Sequence, residues 1–413
     1  MTSLTFEDIQ KAQILLKGVI IETPTLFSPS LSRALEAQIF LKLENFQETG
    51  SFKERGAYVK LKRLSQEALR RGVIAMSAGN HGQAVAFHAH NLQIPATIVM
   101  PVSTPPNKVG STEQWGARVV LAGHTVDEAY RVAEDIAHEE DLAFIHPYDD
   151  PAVIAGQGTI GIEMLEACPD LEALLIPIGG GGLCAGIALA AKSLNPSLQI
   201  YGVEVEGYAS MSQALYGREE TKEEGATLAE GIAVKSPGQL PQAILKPLLE
   251  DILIVTEEEI ERAVDFFVSK QKTIVEGAGA AGLAGLLHNP SLFKNKRVGI
   301  VVSGGNIDER LVSAIMMRGQ IHAGLMNLLR LEVPDIPGIL ASVAGIIARH
   351  QGNIIEVKHQ RLLYEIPIKM AELDIMVETR GKAHIQTIIQ DLEKAGFSVK
   401  RLAGNLDLRG LGG

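Results

Sequence analysis

Residues 38–44, QIFLKLE, run straight into ENFQETGSFKERGA, residues 44–57. An apolar run of strand length that breaks at Thr49-Gly50 and resumes as a helix is the strand–turn–helix step of an α/β fold. Ser51 and Glu54 have the S-x-x-E spacing of a capping box, so Ser51 is the expected N-cap and Lys53 falls in the first helical turn. The partial positive charge of a helix start disfavours an ammonium and lowers its pKa. A lysine that sheds its proton near neutrality suits Schiff-base chemistry. A solvated surface lysine is the ordinary alternative, and this segment alone does not choose between them.

The same step recurs in both directions. GVIAM (72–76), ATIVMP (96–101), ARVVLAG (117–123), LAFIHP (142–147), ALLIPIG (173–179), QIYGVEV (199–205) and VGIVVSG (298–304) are short and apolar on both faces. Strands of that kind belong to parallel sheets covered by helices. Between them lie segments of helical periodicity with acidic first turns, such as 125–140 and 256–271. The alternation runs from about residue 38 to 303 and predicts α/β architecture.

The remainder reads differently. LMNLLRLEVPD is a strand, IPGILASVAGIIARH a helix opened by Pro337, and a Gly352-Asn353 turn leads into IIEVKHQ and AELDIMVET. A helix from 383 to 396 and a strand FSVKRL complete a ferredoxin-like βαββαβ unit, expected over 325–413. RGQIHAGLMN, residues 318–327, is the expected linker.

Acidic residues outnumber basic ones 49 to 38, a formal charge of -11, and no Lys/Arg run occurs. That excludes a general affinity for nucleic acid. The two cysteines, Cys168 and Cys184, support neither a disulfide scaffold nor a thiolate metal site. The N-terminal stretch is polar and acidic, and no uncharged run is long enough to span a bilayer. A cytoplasmic enzyme is the expectation.

Three more segments stand where strands end. SAGNHGQA (77–84) follows the run VIAM, and free N–H groups at such a strand-to-helix step suit a carboxylate. Its His81 has no partner at ligand spacing, so an orienting or structural role is expected. Gly179, Gly180, Gly181 and Gly182 lie between ALLIPI and the helix LCAGIALAAKSL, where bare amides can wrap a phosphate. Gly180, Gly182 and Ala185 also satisfy G-x-G-x-x-A, with Glu204 ending the next strand; those are ingredients of a dinucleotide site, so a nicotinamide-dependent dehydrogenase is a rival. Finally, GIVVSGGN ends at Ser303-Gly304-Gly305-Asn306, where a hydroxyl can meet a cofactor ring nitrogen.

Together GSFKERGA, SAGNHGQA, GGGGL and SGGN resemble the tryptophan-synthase-like, fold type II family of pyridoxal-phosphate enzymes, nearest its threonine dehydratase (threonine ammonia-lyase) branch. The likeness runs over roughly residues 5–320 and includes TLAEGIAV at 227–234. The dehydrogenase reading accounts for only one of the four motifs. The resemblance implies a catalytic domain over residues 1–320 with a smaller subdomain at about 50–150, two open, twisted, mainly parallel sheets flanked by helices, and pyridoxal 5'-phosphate as cofactor. It implies Lys53 as Schiff-base lysine and acid/base, Phe52 against the ring, and Asn80 on the phenolic oxygen. Gly179 to Gly182 and Leu183 would hold the phosphate through backbone N–H groups, and Ser303 the pyridine nitrogen. Ser77, Ala78, Gly79, Asn80 and His81 would hold the substrate carboxylate.

The implied reaction is β-elimination from L-threonine to 2-oxobutyrate and ammonia, with L-serine giving pyruvate. A serine racemase or serine dehydratase of the same family is the alternative. Racemases carry a second serine in the carboxylate loop; here that position is Ala78, which moves no proton. Glu204 offers one carboxylate to a cation but lacks a complementary acidic partner, so no metal site is assigned. The C-terminal unit resembles an ACT domain: DIPGIL (335–340) matches its first loop, and Gly352-Asn353 its next turn. That implies an amino-acid effector, isoleucine or valine, at Pro337, Gly338, Ile339, Leu340 and Asn353. One copy per chain implies a homo-oligomer, dimer or tetramer.

Overall fold

The computed structural model describes residues 4–218, 225–361 and 367–402. The chain divides into two compact units, Met1–Ile307 and Asp308–Gly413.

Among its described residues the first unit holds ten strands: β1 (Thr25–Phe27), β2 (Gln38–Leu43), β3 (Val73–Met76), β4 (Ala96–Met100), β5 (Arg118–Leu121), β6 (Ala143–Phe144), β7 (Ala173–Pro177), β8 (Gln199–Val205), β9 (Asp251–Val255) and β10 (Arg297–Val302). They form two sheets. The smaller has the order β5-β4-β3-β6 and the larger β1-β2-β10-β7-β8-β9. Every pairing is parallel except β1 with β2. Parallel neighbours need crossover connections, and the helices that supply them cover both faces. Strand interiors accordingly read as unbroken apolar runs: β3 and β7 are buried at every residue.

Local chemistry sets the crossover helices. Asp150 caps Pro151–Ala167, its carboxylate accepting from Ala152 N and Val153 N, with Pro151 at a position that has no N–H to lose. Thr256 and Glu259 form a reciprocal capping box at Glu257–Phe266. Thr125 accepts from Glu128 N at the start of Val126–Glu139.

The edges depart from the sequence expectation. β5 is half exposed because it borders its sheet, and only two residues of LAFIHP pair as β6. The edge strands β1 and β9 escaped the sequence reading. The first is three residues long, and DILIV at 251–255 sits on the rim with Asp251 and Ile254 only partly buried.

In the second unit, a helix Glu309–His322 precedes β11 (Met326–Pro334), a helix Ile339–Arg349, β12 (Asn353–Gln360), β13 (Met370–Glu378), a helix Lys382–Lys394 and β14 (Ser398–Arg401). The antiparallel order is β12-β13-β11-β14, the ferredoxin-like arrangement. Its core comes from alternate residues of β11 and β13, including Leu329, Leu331, Leu373 and Ile375, packed on Ile346, Ile388 and Leu392. The expected linker is largely absent: Arg318 to His322 complete the helix, leaving Ala323 to Leu325 between elements. Helix formers continue to His322, and the break comes at Gly324, which takes φ +71°.

Candidate active site

Four loops converge at strand carboxyl ends, the edge at which open α/β sheets bind ligands. β2 leads to the Lys53 loop, β3 to Ser77–Asn80, β7 to the glycine run and β10 to Ser303–Asn306. In the larger sheet β7 continues to β8 and β9 on one side, while β10 returns on the other. The chain order therefore switches between β7 and β10, and the glycine run and the Ser303 loop flank that point.

Lys53 is the first residue of the helix Lys53–Arg63. The cap, however, is not the expected one. Ser51 is held in an extended bridge with Gly304, its buried Oγ has no hydrogen-bond partner, and the helix has no side-chain cap. The Glu54 carboxylate instead accepts from Thr49 N. Backbone pairing with the end of β10 takes the loop away from the capping geometry: Phe52 N donates to Ser303 O at 3.1 Å and Gly305 N to Gly50 O at 2.9 Å.

The Lys53 amine donates to Pro147 O at 2.8 Å and lies 5.2 Å from the Phe52 ring centroid. Burial lowers its pKa to about 8, and the Glu276 charge pulls the other way. The direction matches the sequence expectation, but desolvation rather than the helix start is the cause.

Ser77 follows β3 and its hydroxyl accepts from Gly79 N at 3.1 Å. The helix Asn80–Asn91 then starts without a side-chain cap, so the first N–H groups, at Asn80 and His81 among them, lack intrahelical acceptors. Ala78 is half-buried and brings no polar side-chain atom to the loop. The His81 side chain turns inward: its Nε2 bonds Ile145 O at 2.8 Å, and burial lowers its pKa to about 3. It is therefore a neutral, buried histidine.

Asn80 and two residues without a sequence-derived role form a chain of hydrogen bonds. Asn80 Nδ2 donates to Glu276 Oε1 at 2.7 Å, and Asn306 Nδ2 donates to Asn80 Oδ1 at 2.8 Å. Glu276 precedes the helix Gly277–His288, and burial raises its pKa to about 7. Its only sequence signal is an acidic residue standing before the small-residue run GAGAAG.

The glycine run ends in the helix Gly182–Leu194, which also has no side-chain cap. A Cβ on Gly180 would lie 2.2 Å from Tyr148 Cγ, and Gly181 takes φ +93° with Met211 and Pro241 crowding the same place. Tyr148 is fixed in turn by its hydroxyl, which donates to Ser236 O at 2.9 Å. Leu183 is buried in the core, so it offers the loop only its N–H. Ser303 is 2 % exposed at the end of β10.

These features fit pyridoxal phosphate: an uncapped helix start behind side-chain-free backbone for a phosphate, a hydroxyl at a strand end, and an amine of depressed pKa in one cleft. They do not fit a dinucleotide. Glu204 does not reach for a ribose but caps the helix Ser210–Tyr216, accepting from Met211 N at 2.8 Å and Ser212 N at 2.9 Å. Among the described residues no cluster of three His, Cys, Asp or Glu is placed to hold a metal.

In the second unit the expected effector residues separate. Gly338 takes φ +87° and opens the helix after β11, with Pro337 and Leu340 exposed beside it. Asn353 pairs opposite Glu378, which is level with Met326 at the other end of β11. Eight strand steps, about 27 Å, lie between the two places.

Comparison with known proteins agrees with this geometry. Residues 16–304 match the family described as "Pyridoxal-phosphate dependent enzyme", and residues 327–397 match the ACT domain. The chain is 44% identical to an L-threonine ammonia-lyase of Thermotoga maritima, over 96% of this chain and 99% of that one. Among solved structures, maize serine racemase superposes with a TM-score of 0.72 at 32% identity, covering 78% of this chain and 99% of its own. The processed form of threonine deaminase isoform 2 from Solanum lycopersicum also gives 0.72, at 36% identity, covering 76% and 87%. The chain belongs to the pyridoxal-phosphate dependent enzyme family, with an ACT domain following its cofactor-binding unit.

Proposed function

We propose that this protein is a pyridoxal-phosphate-dependent threonine ammonia-lyase, converting L-threonine to 2-oxobutyrate and ammonia and L-serine to pyruvate. The observation that carries the reading is Lys53, an amine depressed to about 8 where four strand-end loops meet. Similarity over 99% of a threonine ammonia-lyase directs the choice of substrate.

The bound cofactor supplies an electron sink that makes the substrate's Cα–H bond acidic. Gly179 to Gly182 and Leu183 hold its phosphate through backbone N–H groups, and Ser303 meets the ring nitrogen. Phe52 packs beside the ring, and Asn80 Nδ2 donates to the phenolic oxygen. The open N–H groups of the Ser77–His81 loop receive the substrate carboxylate, which orients Cα toward Lys53.

Lys53 Nζ, substantially neutral near pH 8, takes the Cα proton. The β-hydroxyl then leaves as water, carrying the proton that Lys53 took, and hydrolysis of the released enamine consumes one water and frees ammonia. Ala78 places no proton donor on the opposite face of Cα, which favours elimination over racemisation. A neutral hydroxyl at the ring nitrogen stabilises a carbanion poorly and favours prompt loss of the leaving group.

The ACT unit binds an amino-acid effector, isoleucine or valine, through Pro337 to Leu340 and Asn353. Because one chain holds these places about 27 Å apart, a shared site uses a second copy of the chain. The protein thus works as a homo-oligomer of two or four, in the cytoplasm; no helix among the described residues is long and apolar enough to cross a membrane.

The test is product release. The purified protein is incubated with L-threonine and, separately, L-serine, and 2-oxo acid and ammonia are quantified. Equimolar 2-oxobutyrate and ammonia from threonine support the proposal. D-serine from L-serine, without pyruvate, would replace it with the racemase reading.

A further inference from the structure

The clamp on Asn80 has a direction. Asn306 Nδ2 donates to Thr49 O at 2.7 Å and to Asn80 Oδ1 at 2.8 Å, which uses both of its hydrogens. A backbone carbonyl cannot donate, so Thr49 O decides which end of the Asn306 amide faces it. That end then decides the orientation of Asn80. With Oδ1 engaged, Nδ2 turns to the other side, where one hydrogen goes to Glu276 Oε1 at 2.7 Å and the second stays unassigned. Reversing the Asn80 amide would set an NH2 against an NH2 and a carbonyl against a carboxylate. A single orientation remains.

Packing fixes Asn306 as well. A Cβ on Gly50 would lie 2.4 Å from Asn306 Oδ1, so the amide rests directly on the Lys53 loop. Gly305 N donates to Gly50 O at 2.9 Å, tying the backbones on either side of that contact. Thr49, Asn306, Asn80 and Glu276 come from four separate loops and share one hydrogen-bond chain.

We infer that Asn306 is a positioning residue: it reads the Thr49 carbonyl and thereby holds Asn80 with a free Nδ2 hydrogen toward the cofactor's phenolic oxygen. The inference rests on the proposed role of Asn80. It makes Asn306 act through Asn80 alone.

The experiment is a double-substitution cycle on the full chain, combining Asn306→Ala with Asn80→Ala. Two quantities are read: the cofactor's dissociation constant, by titrating the apoprotein with pyridoxal phosphate, and the pH midpoint of its visible absorbance. Asn306→Ala is expected to weaken cofactor binding about tenfold and to shift the midpoint in the same direction as Asn80→Ala. In the Asn80→Ala background it should change both by less than twofold. Asn306→Asp, which faces Thr49 O with an acceptor, should weaken binding further than Asn306→Ala. Equal effects of Asn306→Ala in both backgrounds would overturn the inference, as would an unshifted midpoint in Asn306→Ala beside a shifted one in Asn80→Ala. If Asn80→Ala itself changes neither quantity, the role of Asn80 fails first and the inference falls with it. Unfolding midpoints of the apoproteins separate these results from misfolding, and a fully folded Asn306→Ala with wild-type cofactor binding also refutes it.

Discussion

Replacing Arg55 with Met should destabilise the first unit strongly at neutral pH and much less in mild acid. The guanidinium is fully buried between two carboxylates. Its Nε and Nη2 each donate to Glu44 at 2.8 Å, Nη1 and Nη2 donate to Glu163, and Nη1 also reaches Thr159 Oγ1 at 3.0 Å. Lys42, also buried, donates to Glu163 and to Thr23 O, and stands 3.9 Å from Glu44. The four side-chain charges balance, and removing Arg55 leaves two carboxylates facing one cation. Breaking a buried pair in this way typically costs 3–5 kcal/mol; because Lys42 still serves Glu163, about 3 kcal/mol is expected.

The pH dependence follows from Glu44. Burial is the largest single effect and pushes its carboxyl up, but the charge and hydrogen bonds of Arg55, with Lys42 and Thr23, together outweigh it and hold it below the ordinary 4.5. In the wild type that contribution is present above pH 4.5 and lost as pH falls. Without Arg55 the push from burial prevails, so the variant suffers at neutral pH and recovers as Glu44 takes a proton. The gap between the two proteins should therefore narrow from pH 7.5 toward pH 5. Urea unfolding of both apoproteins, followed by Trp115, the single tryptophan, reads it within the first unit. A loss under about 1 kcal/mol at pH 7.5, or one that grows as pH falls, would refute the reasoning.

Gly180→Ala drives a methyl into the Tyr148 ring and should cost about 1–3 kcal/mol along with a tenfold or greater weakening of cofactor binding. Adding Tyr148→Ala should restore part of both, as calorimetry and cofactor titration would show. His81, held neutral with a pKa near 3, contributes stability that is present above pH 6.5 and lost as pH falls toward 3. His81→Gln should flatten that acid limb by up to about 1.4 kcal/mol per pH unit, read from denaturation midpoints between pH 7 and 4. Isoleucine or valine should change the threonine concentration for half-maximal rate, and Gly338→Val, which strains a φ of +87°, should abolish the response.

Much of this molecule was legible because its determinants are local. The parallel strands announced themselves as apolar runs: β3 and β7 lie within GVIAM and ALLIPIG, and β10 starts one residue before VGIVVSG. What stayed hidden depends on distant partners. Ser51 and Glu54 have capping spacing, yet pairing of Ser51 with Gly304 redirects both, and no window of sequence contains that pairing. Glu276 and Asn306 stand 196 and 226 residues from Asn80, so the chain of amides around it becomes visible only once the strands bring four loops together. Lys53 was placed correctly in its helix, although burial, not the helix start, lowers its pKa. Pro337 to Leu340 and Asn353 matched one family pattern, while the register of β11, β12 and β13 sets them at opposite ends of a sheet.

Lys53 is proposed as the cofactor-bearing amine. That role is tested most directly by the visible absorbance of wild type and Lys53→Ala with added pyridoxal phosphate, recorded beside 2-oxobutyrate release from L-threonine. A yellow, active wild type is expected beside a variant that lacks the wild-type band and releases no 2-oxobutyrate. A variant that keeps both, or a wild type that shows no band at saturating cofactor, would contradict it.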